Sequence, residues 1–83
     1  MTLLYFAWVR EKIGISEESL TPPANVRTVD DLMTWLASRS AGHADAFADR
    51  KLVKAAVDQV HVQARADVQG AKEVAFFPPV TGG

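Results

Sequence analysis

Cysteine is absent from this chain. That excludes a disulfide framework, a thiolate metal site and a cysteine nucleophile together, and it fits a reducing cytosol. An excess of one charge is missing too. Nine Lys and Arg stand against ten Asp and Glu, for a net charge of -1, and the basic residues are scattered. No face is expected to neutralise the phosphates of a nucleic acid. The apolar opening MTLLYFAWVREK is too short to cross a bilayer and lacks both a basic leader and a small-residue cleavage site, so neither export nor a membrane span is expected. No GxxxxGKS or GxxxxGKT loop and no GxGxxG turn is present to cradle a nucleotide. With 83 residues the chain makes one domain, and a domain of this size hides only roughly 60–65% of its unfolded surface. That leaves no room for a deep pocket, so any active site is expected to be shared with another protein.

What is present is a series of short apolar segments. Leu3-Leu4-Tyr5-Phe6-Ala7-Trp8-Val9, bounded by Arg10-Glu11-Lys12, reads as a strand covered on both faces. Gly14 offers the turn for a hairpin, and the polar stretch Glu17–Thr21 reads as a returning edge strand that Pro22-Pro23-Ala24-Asn25 breaks. Val29, Leu32, Met33 and Leu36 follow the spacing of one helical face. Thr28 can cap that helix, Asp30 and Asp31 suit the positive end of its dipole, and Gly42 is the expected stop. A short helical turn is expected within His43–Asp49. Leu52–Val57 and Val60–Gln63 read as strands joined at Asp58-Gln59, Gly70 marks a turn, and Glu73–Phe77 is a last strand halted by Pro78.

The first and last strands are the most apolar, as central strands buried on both faces are. Set side by side in parallel, with the helix on one face, they make an α+β, β-grasp arrangement over residues 1–77. Residues 78–83 form an extended tail.

The tail has chemistry of its own. Pro78-Pro79 fixes two φ angles and directs the chain along a polyproline II path. From Pro78 to Gly83 the chain could reach roughly 20 Å at about 3.3 Å per residue, enough to enter a cleft on another protein. Gly82 and Gly83 fit a narrow channel because they have no Cβ, and the carboxyl carbon of Gly83 is open to attack. A carboxylate is inert until its oxygen becomes a leaving group, and a chain with no nucleotide loop must have that activation done for it.

The ending FFPPVTGG with the preceding EVA, the opening YFAWVRE, the helix start TVDDL and the segment KAAVDQ together resemble the molybdopterin synthase small-subunit family, the MoaD-type sulfur carriers with a ubiquitin-like β-grasp fold. The context matters, because a Gly-Gly end alone arises by chance in roughly one chain in two hundred at about 7% Gly. The resemblance implies that a ubiquitin-activating-enzyme-like adenylyltransferase uses ATP to adenylate Gly83, and that a sulfur donor protein then converts the acyl-adenylate to a thiocarboxylate. It implies that Pro78, Pro79, Val80, Thr81 and Gly82 carry that end into the synthase large subunit, where sulfur passes to cyclic pyranopterin monophosphate to build a dithiolene. Two sulfurs per product imply a heterotetramer of two small and two large subunits. The chain itself would be a sulfur-donating, non-catalytic subunit in the cytoplasm that binds no cofactor.

If Leu3, Tyr5, Val74 and Phe76 face the helix, strand alternation puts Phe6, His61 and Phe77 on the opposite face. These positions match the family's hydrophobic partner surface, and Arg10 matches one that meets acidic groups of the activating partner. There are departures. Gln69-Gly70-Ala71-Lys72-Glu73-Val74 replaces the family's usual Asp-Gly-Asp-Glu-Val, and His61 stands where a more apolar residue is usual. The residues alone also leave open a carrier for thiamine or tRNA thiolation, a ubiquitin-like protein modifier, and a plain interaction domain with an incidental Gly-Gly. His43, Asp45 and Asp49 match no metal-ligand spacing, and Trp8 and Trp35 read as packing residues.

Overall fold

The computed structural model describes residues 1–79; the expectations for Val80, Thr81, Gly82 and Gly83 lie outside the described residues. Strand β1 (Thr2–Tyr5) and strand β5 (Glu73–Phe77) lie together in parallel, with Leu3 opposite Val74 and Tyr5 opposite Phe76. β2 (Glu17–Ser19) pairs antiparallel with β1, β3 (Lys54–Val57) with β5, and β4 (Val60–Val62) with β3. The sheet order among the described residues is therefore β2-β1-β5-β3-β4, with the two most apolar strands inside and the polar β2 at one edge.

Strand period decides which side chains meet the helices. Leu3, Tyr5, Val74 and Phe76 are each at most 1% exposed and share a core with Val29, Leu32, Met33 and Leu36 of helix α2 (Val29–Ala37). Burying a side chain of this kind contributes roughly 1.5–3 kcal/mol. α2 begins where its cap residue predicts. Thr28 Oγ1 accepts the Asp31 N–H at 3.1 Å, and Asp31 Oδ2 accepts the N–H groups of Arg27 and Thr28 at 3.1 and 3.2 Å, a reciprocal box that satisfies free donors at the helix start. Those hydrogen bonds, from Arg27 and then Thr28, hold the Asp31 carboxyl below its usual pKa.

Four expectations are corrected. The run Leu3–Val9 is not one strand. β1 stops at Tyr5, Ala7 turns the chain at φ 51°, and Trp8 and Val9 belong to helix α1 (Ala7–Ile13). Val9 and Ile13, one helical turn apart, both pack on the core, and Lys12 Nζ lies 5.9 Å from the centre of the Trp8 ring across the same spacing. Gly14 accordingly ends a helix rather than turning a hairpin. Its φ is 97° and its N–H donates to the Arg10 carbonyl at 2.7 Å, the left-handed cap that glycine suits.

Gly42 does not stop α2, which ends at Ala37 with Ser38 as cap; it lies inside helix α3 (Ala41–Ala46). A Cβ at Gly42 would collide with the Lys12 carbonyl, so the glycine serves the close approach of α1 and α3. The strand expected over Leu52–Val57 is shorter: β3 begins at Lys54, and Arg50–Leu52 form a 3₁₀ turn, with Leu52 50% exposed. The turn at Asp58-Gln59 is as expected, with φ of 46° and 70°, matching the twist of a two-residue hairpin. The Asp58 carboxylate then accepts the Lys72 and Glu73 N–H groups, tying that hairpin to β5.

Candidate functional site: the open sheet face and the root of the tail

The parity that buries Leu3 and Phe76 turns Leu4, Ala56, Ala75, His61 and Phe77 the other way, and none of these five joins the core cluster. Register aligns them. Leu4 stands opposite Ala75, Ala75 opposite Ala56, and Ala56 opposite His61, so two alanines make a low floor between bulkier neighbours. Phe77 is half-buried, and its ring lies 5.1 Å from that of His61, tilted by 47°. The result is a shallow dish suited to an apolar partner and unsuited to a small ligand.

Because β1 and β5 run in parallel, their ends lie at the same edge of the dish. Phe6 follows β1, donates its N–H to the Phe76 carbonyl at 3.1 Å and is 49% exposed. Pro78 and Pro79 leave β5 at that end. Phe6, Phe77, His61 and the root of the tail thus share one region of the surface, on the face expected of them. Arg10 is exposed on α1, and not directly after a strand as expected. Reading the residues one at a time missed Lys54, the exposed cross-strand partner of Phe77. Its signal was available in the alternation Lys54-Ala55-Ala56, where only Ala55 enters the core cluster.

A second missed feature lies under the sheet. His43 is 7% exposed. Its Nε2 donates to Glu18 Oε2 at 2.7 Å, its Nδ1 lies 2.6 Å from Ser40 Oγ, and the Tyr5 hydroxyl donates to the same Glu18 oxygen at 2.7 Å. The network joins α3 to β1 and β2. It also points a carboxylate inward from the edge strand, where an incoming strand would have to bury it. No group of three or more His, Cys, Asp or Glu among the described residues could hold a metal ion.

Burial, and then the hydrogen bond to Glu18, push the Tyr5 phenol upward, keeping it a donor. For Glu18, burial alone would raise the pKa. The hydrogen bonds from His43 and Tyr5, with the Arg39 guanidinium nearby, outweigh burial and hold the carboxyl below its ordinary value of 4.5. A carboxyl depressed in the folded state stabilises the fold above its unfolded pKa, and the gain is lost as pH falls through the folded value. Melting temperature is therefore expected to fall on acidification below about pH 4.5, and Glu18→Gln should flatten that acid limb. Parallel acid limbs for the two proteins would remove Glu18 as its cause.

The profile of the ThiS family matches residues 3–83. The chain is 42% identical over 81 residues to the molybdopterin synthase sulfur carrier subunit of Escherichia coli K12, covering 98% of this chain and 96% of that one. It is 34% identical over 83 residues to the protein of the same name from Haemophilus influenzae, covering 100% and 99%. Among solved structures, a putative molybdopterin converting factor subunit 1 from Pyrococcus furiosus superposes with a TM-score of 0.75 at 27% identity over 95% of each chain. SAMP1 from Haloferax volcanii superposes with a TM-score of 0.70 at 22% identity, over 100% of this chain and 98% of that one, a likeness of fold.

Proposed function

The chain belongs to the ThiS family, and from that premise we propose that it is the sulfur-carrier subunit of a molybdopterin synthase. The observation that carries this reading is near-full-length similarity to two proteins of that name. The geometry supports it, since an apolar dish and the root of an outgoing tail lie side by side.

The chemistry follows from the end group. The Gly83 carboxylate attacks the α-phosphorus of ATP on an adenylyltransferase, pyrophosphate leaves, and the acyl-adenylate forms. Persulfide sulfur on a donor protein attacks the acyl carbon and displaces AMP, and a second thiol then cleaves the S–S bond of the acyl disulfide, itself ending as a disulfide, to leave a thiocarboxylate. Pro78, Pro79, Val80, Thr81 and Gly82 then carry that end into the large subunit, whose site holds cyclic pyranopterin monophosphate. One sulfur is delivered per carrier, so a dithiolene takes two carriers, and we place two small with two large subunits in the assembly. This chain binds no cofactor in the scheme. It works in the cytoplasm, where ATP and the partners meet; no helix of the described residues is long and apolar enough to cross a membrane.

Intact-mass measurement after incubation with the activating enzyme, ATP and a sulfur donor should show one oxygen replaced by sulfur. Adding a matching large subunit and the pterin precursor should then return the carrier to its carboxylate form. A carrier that acquires sulfur but yields it only to a thiamine or tRNA pathway would reassign it within the family.

Phe6, Arg10, His61 and Phe77 form the docking side of this proposal. Phe77→Ala is expected to weaken binding of the large subunit by roughly 2 kcal/mol, the scale of an aromatic anchor at the centre of an interface. The fold should lose far less, because Phe77 lies outside the core cluster. Calorimetry giving equal affinities would remove Phe77 from the interface.

A further inference from the structure

Beside the dish, at the same end of the sheet, the two layers part. A cleft of about 300 Å³ opens between the start of α2 and the β3–β4 hairpin. Val29, Met33 and Val53 line its apolar depth, and Arg50, Lys51 and Lys54 also line it. Arg50 is neutralised, its Nη1 lying 2.6 Å from Asp30 Oδ1. Asp49 is close by, with its carboxylate accepting the Lys51 backbone N–H at 3.2 Å. Among the described residues neither the Lys51 nor the Lys54 ammonium has a carboxylate within salt-bridge distance, and both residues are exposed.

Lys54 joins this cleft to the dish. It pairs with Phe77 across the strands, and a second depression lined by Lys54, His61 and Phe77 shares Ala55, Val62 and Gln63 with the first. A partner whose walls close around the tail root must therefore pass over Lys54.

We infer that the Lys51–Lys54 cleft receives an acidic segment of the large subunit, seated when the apolar dish docks; this rests on the function proposed above. Two exposed lysines among the lining of a partly apolar cleft suit carboxylates carried on apolar stems, and covering the cleft lowers the local dielectric and strengthens the attraction. A small anion is the poorer fit, because a ligand site encloses most of its ligand and here both lysines are exposed. Complementary charge at the edge of an interface acts mainly on association rate and register. It would steer the carrier so that the tail meets its channel.

The test uses the full-length chain and its matching large subunit. Lys51→Glu combined with Lys54→Glu should weaken binding at least tenfold at low salt, chiefly through slower association, and the difference should shrink as salt is added. Lys72→Glu, a reversal of half that charge in the turn before β5, should bind as wild type. Thermal melts confirm folding, and the pair Lys51→Gln with Lys54→Gln replaces the reversal if it melts early.

Wild-type affinity and salt dependence in the double variant, alongside weakened binding by Phe77→Ala, would overturn the inference and leave the docking face standing. Weakening by Lys72→Glu in proportion to its smaller charge change would reduce the effect to net charge and overturn it as well. Saturable perturbation of Lys51 and Lys54 amide resonances by micromolar inorganic phosphate would assign the cleft to a small anion instead. Failure of the wild type itself to bind the large subunit would remove the proposed function, and this inference with it.

Discussion

Protein ending at Gly82, or extended by one residue past Gly83, is expected to transfer no sulfur while melting at the wild-type temperature. In the proposed scheme the carboxyl of Gly83 is placed twice, first against ATP on one partner and then, as a thiocarboxylate, against the pterin on another. One residue of extended chain is about 3.3 Å. A reacting atom misplaced by about 1 Å already loses roughly 100-fold, so either change should take transfer to background. An added residue also buries the former carboxyl carbon in a peptide bond, where no adenylate can form.

Stability should not follow activity, because the core cluster draws its members from Leu3 through Phe76 and neither change touches one. Single-turnover transfer and a thermal melt check the two halves separately. Wild-type transfer by either variant would take Gly83 out of the chemistry, and a large fall in melting temperature would give the tail a structural role in place of a chemical one.

The second large effect lies one residue from the docking face. Phe76 is fully buried, stands opposite Tyr5 and Ala55 in the sheet, and has its ring 5.0 Å from that of Phe47 and 6.4 Å from that of Tyr5. Phe76→Ala removes the ring and leaves a cavity, a change that costs about 3–5 kcal/mol. Total stability in a domain is only about 5–15 kcal/mol. At about 4–8 °C per kcal/mol for a domain of this size, the melting temperature should drop by tens of degrees.

Phe77→Ala, its neighbour, should instead lower partner affinity with a small thermal cost. The contrast comes from strand parity alone, which sends adjacent side chains to opposite faces. Equal melting temperatures for the two variants would show that the parity assigned to β5 is wrong.

Much of this was legible in one dimension. The aromatic strand ending in Pro78-Pro79, the spacing of Val29, Leu32, Met33 and Leu36, and Thr28 as their cap are local signals, and each formed as read. The apolar run through Trp8 and Val9 was not legible. Tyr5, Phe6, Ala7 and Trp8 suit a strand as well as a helix, and a run of seven apolar residues has no polar position to reveal its period. The choice fell to packing, because Val9 and Ile13 reach the core only from a helix.

His43 was hidden for a related reason. Its partner Glu18 lies 25 residues away, and a histidine among alanines and aspartates carries no local sign of burial. The Lys51–Lys54 cleft needs three elements to exist at all: the start of α2, the 3₁₀ turn and the β3–β4 hairpin.

By itself, then, the sequence determined a diglycine at positions 82 and 83 and a proline pair at 78 and 79, directly after an aromatic strand. It determined the two most apolar strands as well, since their hydrophobicity leaves them nowhere but the inside of the sheet. Only the tertiary structure decided which residues surround the root of that tail. Parallel pairing of β1 with β5 sets Phe6 at the same end as Phe77, and antiparallel pairing of β3 brings Lys54 opposite Phe77 and, through β4, His61 against it. The physical reason is that bond connectivity and side-chain chemistry are written along the chain, whereas a surface is made by register between segments far apart in it.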